Sequence, residues 1–228
     1  MNTVGISSLR RSIVAAMGVV ALGMTASGQA RAGAYDDFFR AVKLDDAKAV
    51  ASLLARGLDP NLIEPERGET GLIIALRDNS MKVFETLLKS RQIDLEIKAF
   101  NGDNALMMAA YKGNLPAVEA LIEQGAEVNK TGWTPLHYAA FVGNNDIVKL
   151  LLDKSAYIDA ESPNKTTPIM MAARAGHILT VKLLLDEGAD ATLKNDAGMT
   201  AIDFANKYEF KDIAEGLTFR LRKEGKLQ

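Results

Sequence analysis

An all-α solenoid of about six stacked helix-turn-helix units is what the sequence predicts, on three observations. A seven-residue block recurs as Asn104-Ala105-Leu106-Met107-Met108-Ala109-Ala110, Thr134-Pro135-Leu136-His137-Tyr138-Ala139-Ala140 and Thr167-Pro168-Ile169-Met170-Met171-Ala172-Ala173. A glycine follows each block, and Gly113, Gly143 and Gly176 are offset by 30 and 33 residues. After each glycine the apolar residues return at helical spacing, as in Ile147, Val148, Leu151 and Leu152.

The stretch from Lys130 to Asp159 shows what these residue types dictate. Thr134 offers a hydroxyl at a helix N-cap, and Pro135 at the first helical position has no N–H to leave unpaired. Leu136, Ala139 and Ala140 form a narrow apolar face whose alanines admit a neighbouring helix at close range. Gly143 supplies the left-handed residue that ends this helix before a second begins. Such a hairpin cannot bury its own apolar surface and must stack on copies of itself.

The order Thr-Pro-Leu-His followed by small residues matches the signature T-P-L-H-x-A, whose period is about 33 residues. On these residues the chain resembles the ankyrin-repeat proteins, and with its leader it resembles the exported, periplasmic members from Gram-negative bacteria. The resemblance implies a curved, single-domain solenoid with short β-turn fingers. Repeats are expected near residues 35–66, 67–100, 101–130, 131–163, 164–196 and 197–222, within a domain of residues 34–222 and ahead of a charged tail at 223–228, with fraying expected from Arg220 to Gln228. The second copy opens at Thr70 and has Asn79 where glycine is usual, its second helix running about Met81 to Ser90. The first copy keeps only Ala41, Val50, Leu53, Leu54 and the Gly57-to-Asn61 turn, while the last sets Phe210, Ile213, Leu217 and Leu221 on one helical face. Degraded motifs at both ends fit caps that show water a polar outer surface. The short offset between Gly113 and Gly143 removes three residues between Asn129 and Thr134, so one finger is trimmed and Trp133 adjoins the cut.

Residues 1–32 read as a cleaved secretory signal, with Arg10-Arg11 at its start, an apolar run from Ile13 to Met24 and a small-residue site at Ala30-Arg31-Ala32. The general secretory and twin-arginine routes both fit. The expected location is the periplasm, with secretion beyond the cell as the alternative. Of 27 basic residues the leader holds Arg10, Arg11 and Arg31, leaving 24 against 29 acids, a net charge of −5 that disfavours nucleic acid. No segment after residue 32 is long and apolar enough to enter a membrane, and a monomer is expected. The absence of cysteine excludes disulfides and thiolate chemistry.

No catalytic set stands out from the repeat pattern, so no enzyme activity, cofactor or metal is expected. His137 and His177 fall on signature positions, and the resemblance gives both a hydrogen-bonding role within and between repeats. The methionine pairs at 107–108 and 170–171 could in principle hold cuprous copper, but helical packing assigns them to the core. By resemblance, binding residues are the finger tips, the residue before each Thr-Pro and the two after each alanine pair. These positions put Arg77, Tyr111, Lys112, Trp133, Phe141 and Arg174 on the candidate partner-binding surface. Trp133 and Phe141 have a second reading, in which they fold down over the short finger and pack. The function expected is a non-catalytic protein-binding scaffold acting through the concave surface. The alternative is a secreted effector or toxin-neutralising protein that engages a host or competitor protein.

Overall fold

The computed structural model describes residues 27–227. The apolar run of the expected leader lies outside these residues, and the expected cleavage point falls within the first helix. Among the described residues twelve helices pair into six hairpins. The first helices are α1 (Ser27–Lys43), α3 (Gly71–Arg77), α5 (Ala105–Tyr111), α7 (Pro135–Val142), α9 (Pro168–Ala175) and α11 (Ala201–Lys207). The second helices are α2 (Ala47–Ala55), α4 (Met81–Leu88), α6 (Leu115–Glu123), α8 (Asn145–Asp153), α10 (Ile178–Asp186) and α12 (Lys211–Lys223). Helix α4 stops at Leu88, two residues short of the expected Ser90, as the chain turns toward the glycine-less loop at Ser90 to Ile93.

The helices begin where the sequence places cap residues. Thr70 Oγ1 accepts from the Ile73 amide at 3.3 Å, Asn104 Oδ1 from Met107 at 3.1 Å and Asn144 Oδ1 from Ile147 at 3.1 Å. Pro135 and Pro168 open α7 and α9. Between the two helices of every hairpin stands one left-handed residue. Gly113, Gly143 and Gly176 fill that place in the middle repeats, at φ 66°, 78° and 80°. Asn79 fills it in the second repeat at φ 60°, and the end repeats use Asp45 at 54° and Glu209 at 66°. Residues with a Cβ hold this conformation at a cost of roughly 1 kcal/mol or more, so the end turns carry strain that the glycine turns do not.

The left-handed turn is also where neighbouring repeats meet. A Cβ on Gly143 would lie 2.5 Å from the His177 ring, and one on Gly176 would lie 2.4 Å from the Phe210 ring. Asn144 covers Gly113 in the same way and donates to its carbonyl at 3.2 Å. The fourth, fifth and sixth repeats thus seat Asn144, His177 and Phe210 on the glycine of the repeat before. This corrects the role expected for His177, whose side chain makes no hydrogen bond among the described residues and packs its ring on Gly143 instead.

First helices stack closely through alanine pairs, with Ala109, Ala110, Ala139, Ala140, Ala172 and Ala173 fully buried. From the middle of the array to its end the second helices barely meet. A row packed tighter on one side must bend toward that side, so the first helices line the concave wall. One continuous core runs from Phe38 to Leu221. At the N-terminal end Phe38, Phe39 and Val42 add apolar residues that the sparse motif did not show. At the other end α12 continues to Lys223 rather than fraying from Arg220, because Arg220 bonds Glu224 one turn on and reaches Asp186 of α10 at 3.2 Å. The final helix departs from a polar cap, since Phe219 is 72% exposed.

Between hairpins, short turns close on themselves, as Ala99 N–H donates to Asp103 O at 2.8 Å and Ser162 N–H to Thr166 O at 3.0 Å. The trimmed finger is held differently. Lys130, whose side chain is 8% exposed, pairs with Glu96, and Asn129 donates to Ser155 O and accepts from the Tyr157 amide, both at 2.8 Å.

If the seat on Gly143 joins repeats, Gly143→Ala lowers the unfolding free energy by about 2 kcal/mol or more. Gly125→Ala, left-handed at φ 93° but facing open space, costs about 1 kcal/mol. Urea denaturation of both variants checks the difference; equal losses mean that His177 gives way freely.

Candidate interaction surface

The concave wall is most featured beside the trimmed finger, where the third and fourth repeats meet. Tyr111 ends α5 and Tyr138 sits in the second turn of α7, and their rings meet edge to face at 5.9 Å. Trp133 reaches the same cluster from the cut finger, 6.4 Å from Tyr138 and 5.2 Å from the ring of His137. Trp133 is half-buried, so it packs on His137 along one edge and still faces the wall. The two readings of this tryptophan describe different faces of one ring.

Below Tyr111 lies an open cavity of about 580 Å³ whose lining includes Phe100, Met108, Tyr111, Tyr138, Arg77 and Lys112. Phe100 stands at the finger tip, 73% exposed, with its ring held over Gly68 and its amide donating to Arg67 O at 2.8 Å. The polar floor is fully occupied. Buried Asp103 accepts the Tyr138 hydroxyl and, at 2.6 Å, the Asn101 side-chain amide. Burial and then this carboxylate push the Tyr138 hydroxyl well above the usual tyrosine range. Arg77 pairs with buried Glu69 and reaches both oxygens of Asp78, at 2.8 and 3.1 Å. That guanidinium holds the Asp78 carboxyl below its ordinary range.

Of the six residues expected to form the surface, the structure brings Arg77, Tyr111 and Lys112 to the cavity and Trp133 to its edge. Phe141 is half-buried and joins neither the ring cluster nor the cavity lining. Arg174 is exposed on a later repeat, its guanidinium 5.4 Å over the Tyr208 ring. Sequence reasoning passed over Tyr138, Phe100 and Arg67. Tyr138 occupies the variable place inside the block, and Phe100 lies at a finger tip, a class of position the resemblance had marked.

His137 is structural. The Thr134 amide donates to Nδ1 at 3.1 Å and the Thr134 hydroxyl lies 2.8 Å from the same atom, while Nε2–H donates to Thr166 O of the next repeat at 2.8 Å. The ring is fully buried, and burial pulls its pKa down to about 4. At the equivalent place in the fifth repeat stands Met170, and there buried Thr167 Oγ1 has no partner. Met107 and Met170 are core residues. Among the described residues no group of three or more His, Asp and Glu side chains is placed to hold a metal ion.

A family model described as ankyrin repeats (3 copies) matches residues 38–131, 87–162 and 156–223. The human SH3 and multiple ankyrin repeat domains protein 2 is 36% identical over 176 residues, spanning 75% of this chain and 10% of that protein. Neurogenic locus notch homolog protein 1 of Xenopus laevis is 34% identical over 124 residues, 53% of this chain and 5% of that one. The chain therefore spans a tenth or less of these relatives. The crystal structure of the ankyrin repeat domain of Bcl-3 superposes with a TM-score of 0.65 at 27% identity, covering 78% of this chain and 81% of that domain.

Two outcomes follow from the buried histidine. The folded chain keeps His137 neutral while the unfolded chain protonates it below about pH 6.5, so its contribution is complete above that pH and is lost as pH falls toward about 4. The loss amounts to up to about 3 kcal/mol, and His137→Met, which copies positions 107 and 170, flattens that part of the pH profile in denaturant titrations. Conversely, Met170→His gives Thr167 Oγ1 a partner and reaches toward Met199 O, the counterpart of Thr166 O, raising stability by about 1 kcal/mol in the same measurement at pH 8.

Proposed function

The chain belongs to the ankyrin-repeat family, and from that premise we propose that it is a non-catalytic scaffold that holds another protein against the concave row of its first helices. The observation that carries this reading is the cluster of Tyr111, Tyr138 and Trp133 beside the Phe100 cavity. The fold does not require large exposed rings there, and aromatic and arginine side chains dominate the energetics of protein interfaces. The polar groups on the floor already satisfy one another, which leaves the wall suited to holding a surface rather than to moving protons or electrons. Ankyrin repeats, the family that matches residues 38–223, are typically scaffolds for protein interaction, which supports this reading.

The scaffold acts in the periplasm. Support comes from the basic start, apolar run and small-residue site of residues 1–32, and from the lack of cysteine. Just past the cleavage point the Tyr35 hydroxyl donates to Ile63 O at 2.8 Å. No helix among the described residues is long and apolar enough to cross a membrane. After cleavage the scaffold works as a monomer.

Osmotic shock of cells expressing the full chain is expected to release a product whose N-terminus is Gly33. Its appearance in culture medium instead would point to a secreted effector, and an intact N-terminus in the cytoplasm would end the export reading. The released chain, immobilised beside its Tyr111→Ala, Trp133→Ala variant, is expected to retain a periplasmic partner that the variant loses, with equal helical signal by circular dichroism. Equal retention by both would place binding elsewhere.

A further inference from the structure

The chemistry of the cavity is more specific than a general scaffold requires. Its walls are apolar: Phe100 from the finger, Tyr111 and Met108 from α5, and Tyr138 from α7. Its buried acids are already engaged, Glu69 by Arg77 and Asp103 by the Tyr138 hydroxyl and Asn101. Arg77 is in turn held by two carboxylates. The charges left over are Arg67 and Lys112, both exposed, both on the cavity lining and neither in an ion pair among the described residues. A guest therefore meets rings on three sides and two uncommitted cations at the mouth.

We propose that this cavity receives an acidic segment of a partner protein in which an aromatic side chain is flanked by carboxylates. The ring enters between Phe100, Tyr111 and Tyr138, edge to face as Tyr111 and Tyr138 already meet, and the flanking carboxylates pair with Arg67 and Lys112. The volume of about 580 Å³ accommodates one large side chain with parts of its neighbours. A cationic guest is the natural competitor, since aromatic walls attract ammonium groups. It fails on position: the carboxylates that could balance it lie buried and engaged, whereas the two free cations sit where its charge would enter. The arginine further favours a carboxylate, which its planar fork can meet with two hydrogen bonds.

The inference rests on the scaffold reading and is tested separately from it. Fluorescein-labelled twelve-residue peptides in a Gly-Ser frame present Glu-Phe-Asp, Lys-Phe-Lys or Glu-Ala-Asp, and each is titrated against the mature chain by fluorescence anisotropy. Binding is expected for Glu-Phe-Asp alone, at a Kd on the order of tens of micromolar, and is expected to weaken with added salt. Arg67→Ser with Lys112→Ser, and separately Tyr111→Ala, each raise that Kd by about tenfold, while Arg67→Lys, which keeps the charge but not the fork, raises it by a smaller factor. Preference for Lys-Phe-Lys overturns the charge assignment, and equal binding of Glu-Ala-Asp overturns the ring assignment. If none of the three binds, the proposed guest is wrong. A protein partner still lost by the Tyr111→Ala, Trp133→Ala variant would then leave the scaffold reading standing, and its retention by that variant would end both.

Discussion

Everything in this molecule depends on how closely its first helices approach. Leucine at the alanine-pair positions would hold neighbouring helices several ångströms further apart; alanine lets backbone lie near backbone, and all six of these alanines in the middle repeats are fully buried. The second helices lack that permission and splay. Curvature follows from the inequality, and so does a wall of side chains projecting from short helices along the inner arc. No single hairpin has a core of its own, so the apolar cluster is continuous from end to end.

Polar groups fix the spacing that the alanines permit. Asn61, Glu96, Asn129 and Asp159 each accept from a backbone amide about one repeat on, at 2.9, 2.8, 2.8 and 3.0 Å. Inside the stack His137 also links neighbouring repeats, its Nε2–H donating to Thr166 O at 2.8 Å. The fourth unit, which holds this histidine, also lost part of its finger. Lys130 fills the gap as a buried charge with a carboxylate partner, an arrangement that is destabilising to break because the remaining charge would be stranded. Trp133 stands at the end of that shortened finger, 6.4 Å from Tyr138, which in turn meets Tyr111 at 5.9 Å.

Much of this was legible in the sequence, and the residues show why. Thr134, Pro135 and Gly143 have local reasons for their positions, and local reasons survive without knowing the neighbours. Asp45 and Glu209 were not legible as left-handed turns, because neither residue type demands that conformation and the packing of the end repeats imposes it. His177 was assigned a hydrogen bond by resemblance at a signature position, yet its ring lies on a glycine of another repeat. The surface was half-legible for the same cause. Tyr111, Lys112 and Arg77 follow from position within a repeat. Tyr138 and Phe100 matter because of the distance between repeats, which the periodicity does not encode.

The central claim is that a partner is held on the inner arc, around the Phe100 cavity, and not on the splayed outer helices. Amide hydrogen exchange on the complex with a captured partner tests it most directly. Slowed exchange is expected in the finger around Phe100 and in the amides near Tyr111, Trp133 and Tyr138, with α6, α8 and α10 exchanging as in the free chain. Protection concentrated on those second helices, with the finger and the ring cluster unchanged, would contradict it.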